Sequence, residues 1–187
     1  MNRRVVQITR KLLSMMLALA MVILLADPVC VSAKIKTLNL KHADISDPYV
    51  SYINTVATTI PKTGTYKVSL KKNGGVYYGY LKFVAPKTKT YTITLSDLKC
   101  KGNEQVYGGV QTEMEVGDGT DSIKHVEIQT KGGTNTVLQL AHKKQGSNLI
   151  PKRTGKITLT EGQTLYLCYV FIVKTKGKKL TSKLTIK

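Results

Sequence analysis

The chain has 187 residues, with 29 Lys or Arg against 11 Asp or Glu, so its formal net charge is +18 at pH 7. This length is enough for one domain with a sizeable core, and the basic balance favours an anionic partner. Arg153 is the one Arg after residue 33, and Arg is the side chain best suited to bidentate recognition of phosphates and bases. Sequence-specific nucleic-acid binding is therefore not expected.

Residues 1–33 show the three zones of a secretory signal peptide. The basic zone is formed by Arg3, Arg4, Arg10 and Lys11. An apolar run of 15 residues, 12–26, follows it, and Val31-Ser32-Ala33 supplies small residues for a signal peptidase. Because a permanent membrane helix needs about 20 apolar residues, this run predicts a signal helix that is removed, with an uncleaved N-terminal anchor as the alternative. We expect a secreted or extracellular protein, associated with the cell envelope, with no transmembrane segment in its mature chain.

Beyond residue 33 the dominant pattern is alternation of apolar and polar residues, which indicates strands with one solvated face. The pattern is clearest at 65–70, 90–95 and 179–186. Residues 165–173 are apolar on both parities, which predicts a central strand covered on both sides. Together the alternating and apolar segments predict about nine strands within 35–40, 49–60, 65–70, 76–84, 90–95, 106–116, 122–129, 134–142, 156–160, 164–174 and 179–186.

Gly, Pro and Asn residues punctuate these segments at the positions where turns are needed, for example at 61–64, 72–75 and 131–133. Short strands at this spacing are typical of an antiparallel β-sandwich or barrel rather than a βαβ layout. The sequence therefore predicts an all-β protein with a single antiparallel β-sandwich domain over residues 34–187.

Two segments carry a family resemblance. Residues 79–95 (GYLKFVAPKTKTYTITL) join an aromatic strand through a Pro turn to a second strand, and residues 157–167 (ITLTEGQTLYL) supply a later one. This arrangement resembles the bacterial pre-peptidase C-terminal (PPC) domain. The resemblance implies a jelly-roll-like sandwich that serves as a non-catalytic accessory or adhesion module.

The titratable residues form no recognisable catalytic motif. His42, His125 and His142 occur in no H-x-H or H-E-x-x-H arrangement, and no G-x-S-x-G turn is present. Glu113 and Glu115 share one strand face, which is typical of a solvated edge. We therefore expect no enzyme activity, no catalytic residues and no cofactor. The alternative is a secreted hydrolase or protease-inhibitor-like domain with a site built from loop residues 143–155 around His142.

The segment Gly117-Asp-Gly-Thr-Asp121 resembles a calcium-binding turn, but it provides only two carboxylates, whereas calcium takes six to eight oxygen ligands. An Asp-Gly hairpin turn explains it better, and no metal site is expected. Cys100 and Cys168 leave two alternatives open. In an oxidising compartment they could form a disulfide, or they could be two buried thiols that pack as small hydrophobic groups.

The candidate ligand-binding residues are aromatic or basic. Tyr78 and Tyr80 share a strand face, while Tyr77 has the parity of Leu81 and Phe83. Such tyrosines serve interfaces or sugar stacking, with cross-strand packing as the alternative. The candidate basic residues are Lys143, Lys144, Lys152 and Arg153. The sequence thus predicts a non-catalytic binding or adhesion module, attracted to an anionic cell-wall polymer, a polysaccharide or a surface protein.

Overall fold

The computed structural model describes residues 35–43, 49–71, 76–101, 106–145, 148–173 and 179–187, without the side chains of 143–145 and 148. The predicted signal peptide, residues 1–33, lies outside this part of the chain. In the described ranges, no helix is long and apolar enough to cross a membrane.

The described residues form fourteen strands and one short helix, α1 (Val50–Val56). The strands are β1 (Lys36–Leu40), β2 (Thr58–Thr59), β3 (Gly64–Lys71), β4 (Val76–Val84), β5 (Lys89–Cys100), β6 (Val106–Glu115), β7 (Ile123–His125), β8 (Ile128–Thr130), β9 (Gly133–Asn135), β10 (Val137–Gln145), β11 (Asn148–Ile150), β12 (Lys152–Leu159), β13 (Thr164–Val173) and β14 (Lys179–Ile186).

Two sheets stack into a sandwich, which confirms the predicted fold class. The first sheet has the order β1-β3-β14-β5-β12-β8-β9, and the second has the order β11-β10-β6-β13-β4-β2, with β7 paired to β6. The eight long strands β3, β4, β5, β6, β10, β12, β13 and β14 pair first with eighth, second with seventh, third with sixth and fourth with fifth, always antiparallel. This nesting is a rolled-up hairpin, so the strand order is that of a jelly roll.

The core lies between the two sheets and is built from the inward-facing residues of both. Leu167, Tyr169 and Phe171 of β13 are fully buried there, as are Ile93 and Leu95 of β5. The strand β13 lies between β6 and β4, and its outward residues Tyr166 and Cys168 are also buried. The predicted central strand is therefore covered on both sides over most of its length, and only its last outward residue, Ile172, is substantially exposed, at 40%.

The structure departs from the predicted strands at several places. Residues 49–60 were expected to form one strand but contain α1 followed by the two-residue strand β2. The predicted strands 122–129 and 134–142 are each divided in two, and β11 is an additional short strand. At the edges, β1 pairs with β3 and β2 pairs with β4 in parallel, so only the jelly roll itself is fully antiparallel.

Helix α1 forms because its apolar residues Val50 and Ile53 repeat at a helical spacing and are buried on the second sheet. Its N-cap residue, Tyr49, makes no side-chain capping bond. The carboxylate of Asp121, distant in sequence, accepts a hydrogen bond from the backbone N–H of Ser51 at 2.8 Å and another from the Ser51 hydroxyl. A long-range contact therefore provides the cap that local sequence lacks.

Candidate functional site

The outer face of the first sheet carries only polar residues on its long strands β3, β14, β5 and β12. We call it the lysine–threonine face. Inward positions such as Val68, Leu184 and Ile157 hold the core, and the alternate positions point to solvent. The outward residues are Thr65, Lys67, Ser69, Lys71, Thr90, Thr92, Thr94, Ser96, Asp97, Lys99, Lys152, Thr154, Lys156, Thr158, Lys179, Thr181, Lys183, Thr185 and the following Lys187.

Threonines form a continuous row across this face. In register, Thr65 lies opposite Thr185, Thr185 opposite Thr94, and Thr94 opposite Thr154. The hydroxyl oxygens of Thr65 and Thr185 are 3.1 Å apart, and those of Thr94 and Thr154 are 3.0 Å apart. Farther along the same two strands, β5 and β12, the hydroxyl oxygens of Thr90 and Thr158 are 2.8 Å apart. These hydroxyl–hydroxyl bonds join neighbouring strands, and the β-branched threonine side chains restrict χ1 rotation.

Lysines flank the threonine row, and several face each other directly. Lys67 lies opposite Lys183, and Lys71 lies opposite Lys179, on the paired strands β3 and β14. Like charges in directly opposed positions destabilise a sheet. Among the described residues the single salt bridge joins His125 to Glu113, on the other sheet, so no acid neutralises these lysines within ion-pair distance. Lysines outnumber acids on this face, where Asp97 of β5 is the acid beside Lys152 and Lys183, so the face has a net positive potential.

Two of the predicted basic residues, Lys152 and Arg153, are adjacent on β12 and have opposite parity. Lys152 belongs to the lysine–threonine face and borders a depression of about 440 Å³ there, together with Asp97, Lys183 and Lys187. Arg153, like Lys152, also lines a groove between the β8–β9 hairpin and β10. This groove has a volume of about 940 Å³ and is lined by Thr130, Lys131, Gly132, Asn135, Thr136, Val137, Leu138, Gln139, Lys152, Arg153 and Thr154.

The other predicted ligand residues lie elsewhere. Lys143 and Lys144 belong to the end of β10, but their side chains lie outside the described residues. Tyr78 and Tyr80 do share the outer face of β4, and Tyr77 faces the core with Leu81 and Phe83, as predicted. Tyr80 is only 2% exposed because α1 packs over it, so its ring is not available for stacking on a sugar.

Helix α1 closes a small second cluster on the outer face of the second sheet. We call it the α1 cluster; its buried members are Ala43, Val50, Ile53, Tyr80, Tyr166 and Cys168. The hydroxyl of Tyr166 donates to Oδ1 of Asn54 on the helix at 3.1 Å, and Lys82 donates to the same oxygen at 2.8 Å. Tyr80 and Cys168 are cross-strand partners whose hydroxyl and thiol are hydrogen-bonded.

Glu113 borders this cluster and is 4% exposed, which corrects the expectation of a solvated edge. Its Oε1 lies 3.5 Å from Nδ1 of His125, and its Oε2 is buried with no hydrogen-bond partner. Burial raises the pKa of Glu113 to about 7. Burial, and then the nearby Glu113, raise the pKa of the Cys168 thiol to about 12, so Cys168 is a poor nucleophile in this conformation.

The structure decides between the two alternatives for the cysteines. Cys100 faces the core between the sheets, whereas Cys168 faces outward from the second sheet beneath α1. Both are buried and neither forms a disulfide. They act as buried thiols in two separate clusters.

A further groove is relevant to the hydrolase alternative. His142 and Asp97 line the same groove, of about 500 Å³, with Leu98, Lys99, Ala141, Leu149 and Pro151. Asp97 has a φ of 54°, at an irregularity in the pairing of β5 with β14. Asp tolerates this left-handed conformation better than most residues, and a bulge accounts for it. The groove lining offers an imidazole and a carboxylate but no hydroxyl or thiol nucleophile.

Metal-ligating side chains do not gather in the described part of the chain: it contains no group of three or more His, Cys, Asp or Glu residues placed to hold an ion. The segment 117–121 is a turn in which Asp118 accepts a hydrogen bond from the Thr120 backbone N–H at 2.9 Å. Asp121 is engaged with Ser51 of α1. These carboxylates therefore have structural partners.

Comparison with known proteins adds little. No family model matches the chain, and no curated protein matches it. Among solved structures, CorA of Methylomicrobium album BG8, a surface-associated copper-binding protein, is 9% identical with a TM-score of 0.32, over 82% of this chain and 98% of that one. A β-glucosidase from Paenibacillus barengoltzii is 12% identical with a TM-score of 0.25, over 86% of this chain, which spans 12% of the enzyme. At such low TM-scores neither likeness bears on function.

Proposed function

We propose that this protein is a non-catalytic, secreted or cell-surface module that binds an anionic polymer through its lysine–threonine face. The observation that supports it is the direct opposition of Lys67 and Lys183, and of Lys71 and Lys179, with no acid within ion-pair distance in the described residues. Such pairs weaken the sheet in the absence of a partner. An anionic partner converts the same repulsion into attraction.

The spacing of the lysines favours a polymer over a small anion. Lys183 and Lys187 are four residues apart along β14 and the residue after it, and Lys152 and Lys156 are four residues apart along β12. One row of lysines contains Lys183 and Lys152, and a second row contains Lys187 and Lys156. At about 3.4 Å per residue, the two rows lie about 14 Å apart, with the threonine row between them. A single small anion contacts one row, whereas a chain of repeating charges contacts both.

The chemistry of the lysines sets the expected type of recognition. Lys is a compact, strongly hydrated point charge, whereas Arg makes directional bidentate contacts. A face with lysines and hydroxyl groups therefore binds a repeating phosphate, sulfate or carboxylate polymer with modest sequence or sugar selectivity. Cell-wall polymers and acidic polysaccharides have this character.

The test is binding of the purified protein to a glycerol-phosphate polymer, with polygalacturonate as a parallel carboxylate probe, at low ionic strength. Removing two lysines in Lys67→Gln/Lys183→Gln is expected to weaken binding roughly thirtyfold, since each Lys near an anionic surface contributes about 1 kcal/mol.

The matched control is Lys87→Gln/Lys124→Gln, which removes the same charge from exposed positions away from the face. We expect this control to bind nearly as well as the unmodified protein. Equal losses in the two double variants would mean that net charge alone attracts the polymer, and the assignment of the face would be withdrawn.

A hydrolase stays the second candidate because His142 and Asp97 line one groove. This pair could activate a water molecule as a general base with its orienting carboxylate. Loss of a hydrolytic activity in His142→Gln, with unchanged binding to the anionic polymer, would assign the groove rather than the face as the functional site.

A further inference from the structure

The α1 cluster places a buried acid beside a covered thiol and two tyrosines. Glu113 is on the outward face of β6, next in register to Tyr166 of β13 and to His125 of β7. Despite this outward position it is 4% exposed, and its Oε2 has no hydrogen-bond partner. An ionised carboxylate in such a place loses its hydration without compensation.

The groups that face Glu113 come from each neighbouring element. His125 of β7 lies at 3.5 Å from Oε1. Cys168 of β13 and Tyr80 of β4 are close enough for the charge of Glu113 to raise the pKa of both side chains, after the larger effect of burial. Tyr166 of β13 is the cross-strand partner of Glu113. Tyr52 of α1 makes a small further contribution to the raised pKa of Tyr80. A fixed positive charge beneath the helix is that of Lys82 of β4, which lies on the far side of Tyr166 from Glu113 and donates to Asn54 of α1.

The cover over this cluster is small. Helix α1 has seven residues, of which Val50 and Ile53 are buried. A helix this short is not stable by itself and depends on its contacts with the sheet. Its polar contacts with the rest of the chain include the bonds of Val50 and Ser51 to Asp121, of Asn54 to Tyr166 and Lys82, and of the Thr55 carbonyl to Lys41. Opening this helix breaks few contacts, whereas opening the core between the sheets breaks the jelly roll.

We propose that α1 is a pH-sensitive cover, which detaches when Glu113 loses its proton and exposes Tyr80, Tyr166 and Cys168 as a surface on the second sheet. Protonated Glu113 is neutral and is tolerated under the cover. Ionised Glu113 recovers its hydration only when the cover opens. This behaviour is independent of the lysine–threonine face on the first sheet.

Proton linkage gives the direction and the size of the change in the open-to-closed ratio of α1 with pH. Burial raises the pKa of Glu113 to about 7 from an ordinary value of 4.5. Because the closed form holds the proton more tightly, it is favoured at acid pH, and this advantage is lost as pH rises through 7. With an ordinary pKa in the open form, the ratio of open to closed molecules increases about tenfold between pH 6 and pH 8.

The experiment is timed alkylation of the whole protein with iodoacetamide at pH 6, 7 and 8, with the two cysteine-containing peptides quantified by mass spectrometry. Cys168 reports opening of α1, and Cys100 of the inter-sheet core reports global unfolding. We expect Cys168 to react much faster than Cys100 at pH 8. Reaction of both at one rate would mean global unfolding and would overturn the proposal.

The variant Glu113→Gln keeps the shape of the neutral acid and removes its titration. The ratio of Cys168 rates in the unmodified protein and in this variant, measured at the same pH to cancel thiol ionisation, is expected to rise about tenfold from pH 6 to pH 8. Glu115→Gln, on the same strand face but exposed, is expected to follow the unmodified protein. A constant ratio for Glu113→Gln would contradict the proposal.

Hydrogen exchange of the unmodified protein gives a second test that needs no variant. The amides of Ile53 and Ala57 are bonded within α1 at 2.9 and 2.8 Å. After correction for intrinsic exchange rates, their protection is expected to fall about tenfold between pH 6 and pH 8, while amides of β5 keep theirs. Protection that is unchanged with pH would overturn the proposal.

Discussion

The outer faces of the two sheets differ, although both are built from strands of the same alternating type. The outer face of the first sheet is exposed along β12, partly exposed along β14 and lined mainly by Lys and Thr. The outer face of the second sheet is partly covered by α1 and holds Tyr80, Cys168 and Tyr166 in a buried cluster. Acids occur beside both sheets, with Glu113 and Glu115 on β6 of the second sheet and the exposed Asp97 on β5 of the first.

This difference shows how one fold provides two physical environments on opposite sides of a shared core. On the first sheet, charge remains hydrated and able to attract a partner. On the second sheet, Glu113 lies beside Tyr166 of the α1 cluster, and burial raises the pKa of its carboxyl. Conservative substitutions on the outer face of each sheet test whether the two environments differ in this way.

The largest effect is expected on the covered side. Glu113→Gln is expected to be more stable than the unmodified protein at pH 8, by up to about 3 kcal/mol, because the pKa of Glu113 is raised to about 7 from 4.5. For a raised pKa, the contribution to stability is complete below pH 4.5 and is lost as pH rises through 7. Denaturant unfolding from pH 4 to pH 8 measures the difference.

The control for that experiment is Glu115→Gln, which removes a carboxylate from the same strand where it is exposed. Its free energy of unfolding is expected to keep the pH dependence of the unmodified protein. If Glu113→Gln also kept that dependence, Glu113 would be hydrated in solution and the second sheet would not differ from the first in this respect.

A smaller effect of a different kind is expected on the open side. Lys67→Thr relieves the repulsion with Lys183 and extends the β-branched surface. We expect the free energy of unfolding to rise by about 0.2–1 kcal/mol while binding to a glycerol-phosphate polymer weakens. Thermal unfolding and polymer binding, measured on the same sample, check the two opposite signs. A loss of both stability and binding would indicate a packing role for Lys67.

Much of the fold could be predicted because the apolar residues that repeat every second position are the residues that are buried. The alternation at 65–70, 90–95 and 179–186 corresponds to β3, β5 and β14, and the doubly apolar run corresponds to the central strand β13. Helix α1 was missed because two turns give too few repeats to distinguish a period of 3.6 from one of 2. Its cap comes from Asp121, which local sequence does not reveal.

The candidate site was only partly predictable. The excess of Lys predicted an anionic partner, and Lys152 was selected, but the face depends on strands that are far apart in sequence, such as β3 and β14. The buried state of Glu113 was missed because Glu113 and Glu115 have the same parity, and only the cover by tertiary contacts separates them. A pattern within one strand contains no information about what packs on it.

Binding through the lysine–threonine face can be measured from the salt dependence of affinity for the glycerol-phosphate polymer. The logarithm of the affinity is expected to fall linearly with the logarithm of salt concentration, since bound lysines release counterions from the polymer. For Lys67→Gln/Lys183→Gln the slope is expected to be smaller in magnitude by roughly one to two, and for Lys87→Gln/Lys124→Gln it is expected to be unchanged. Equal slopes for all three proteins would contradict binding through the lysine–threonine face.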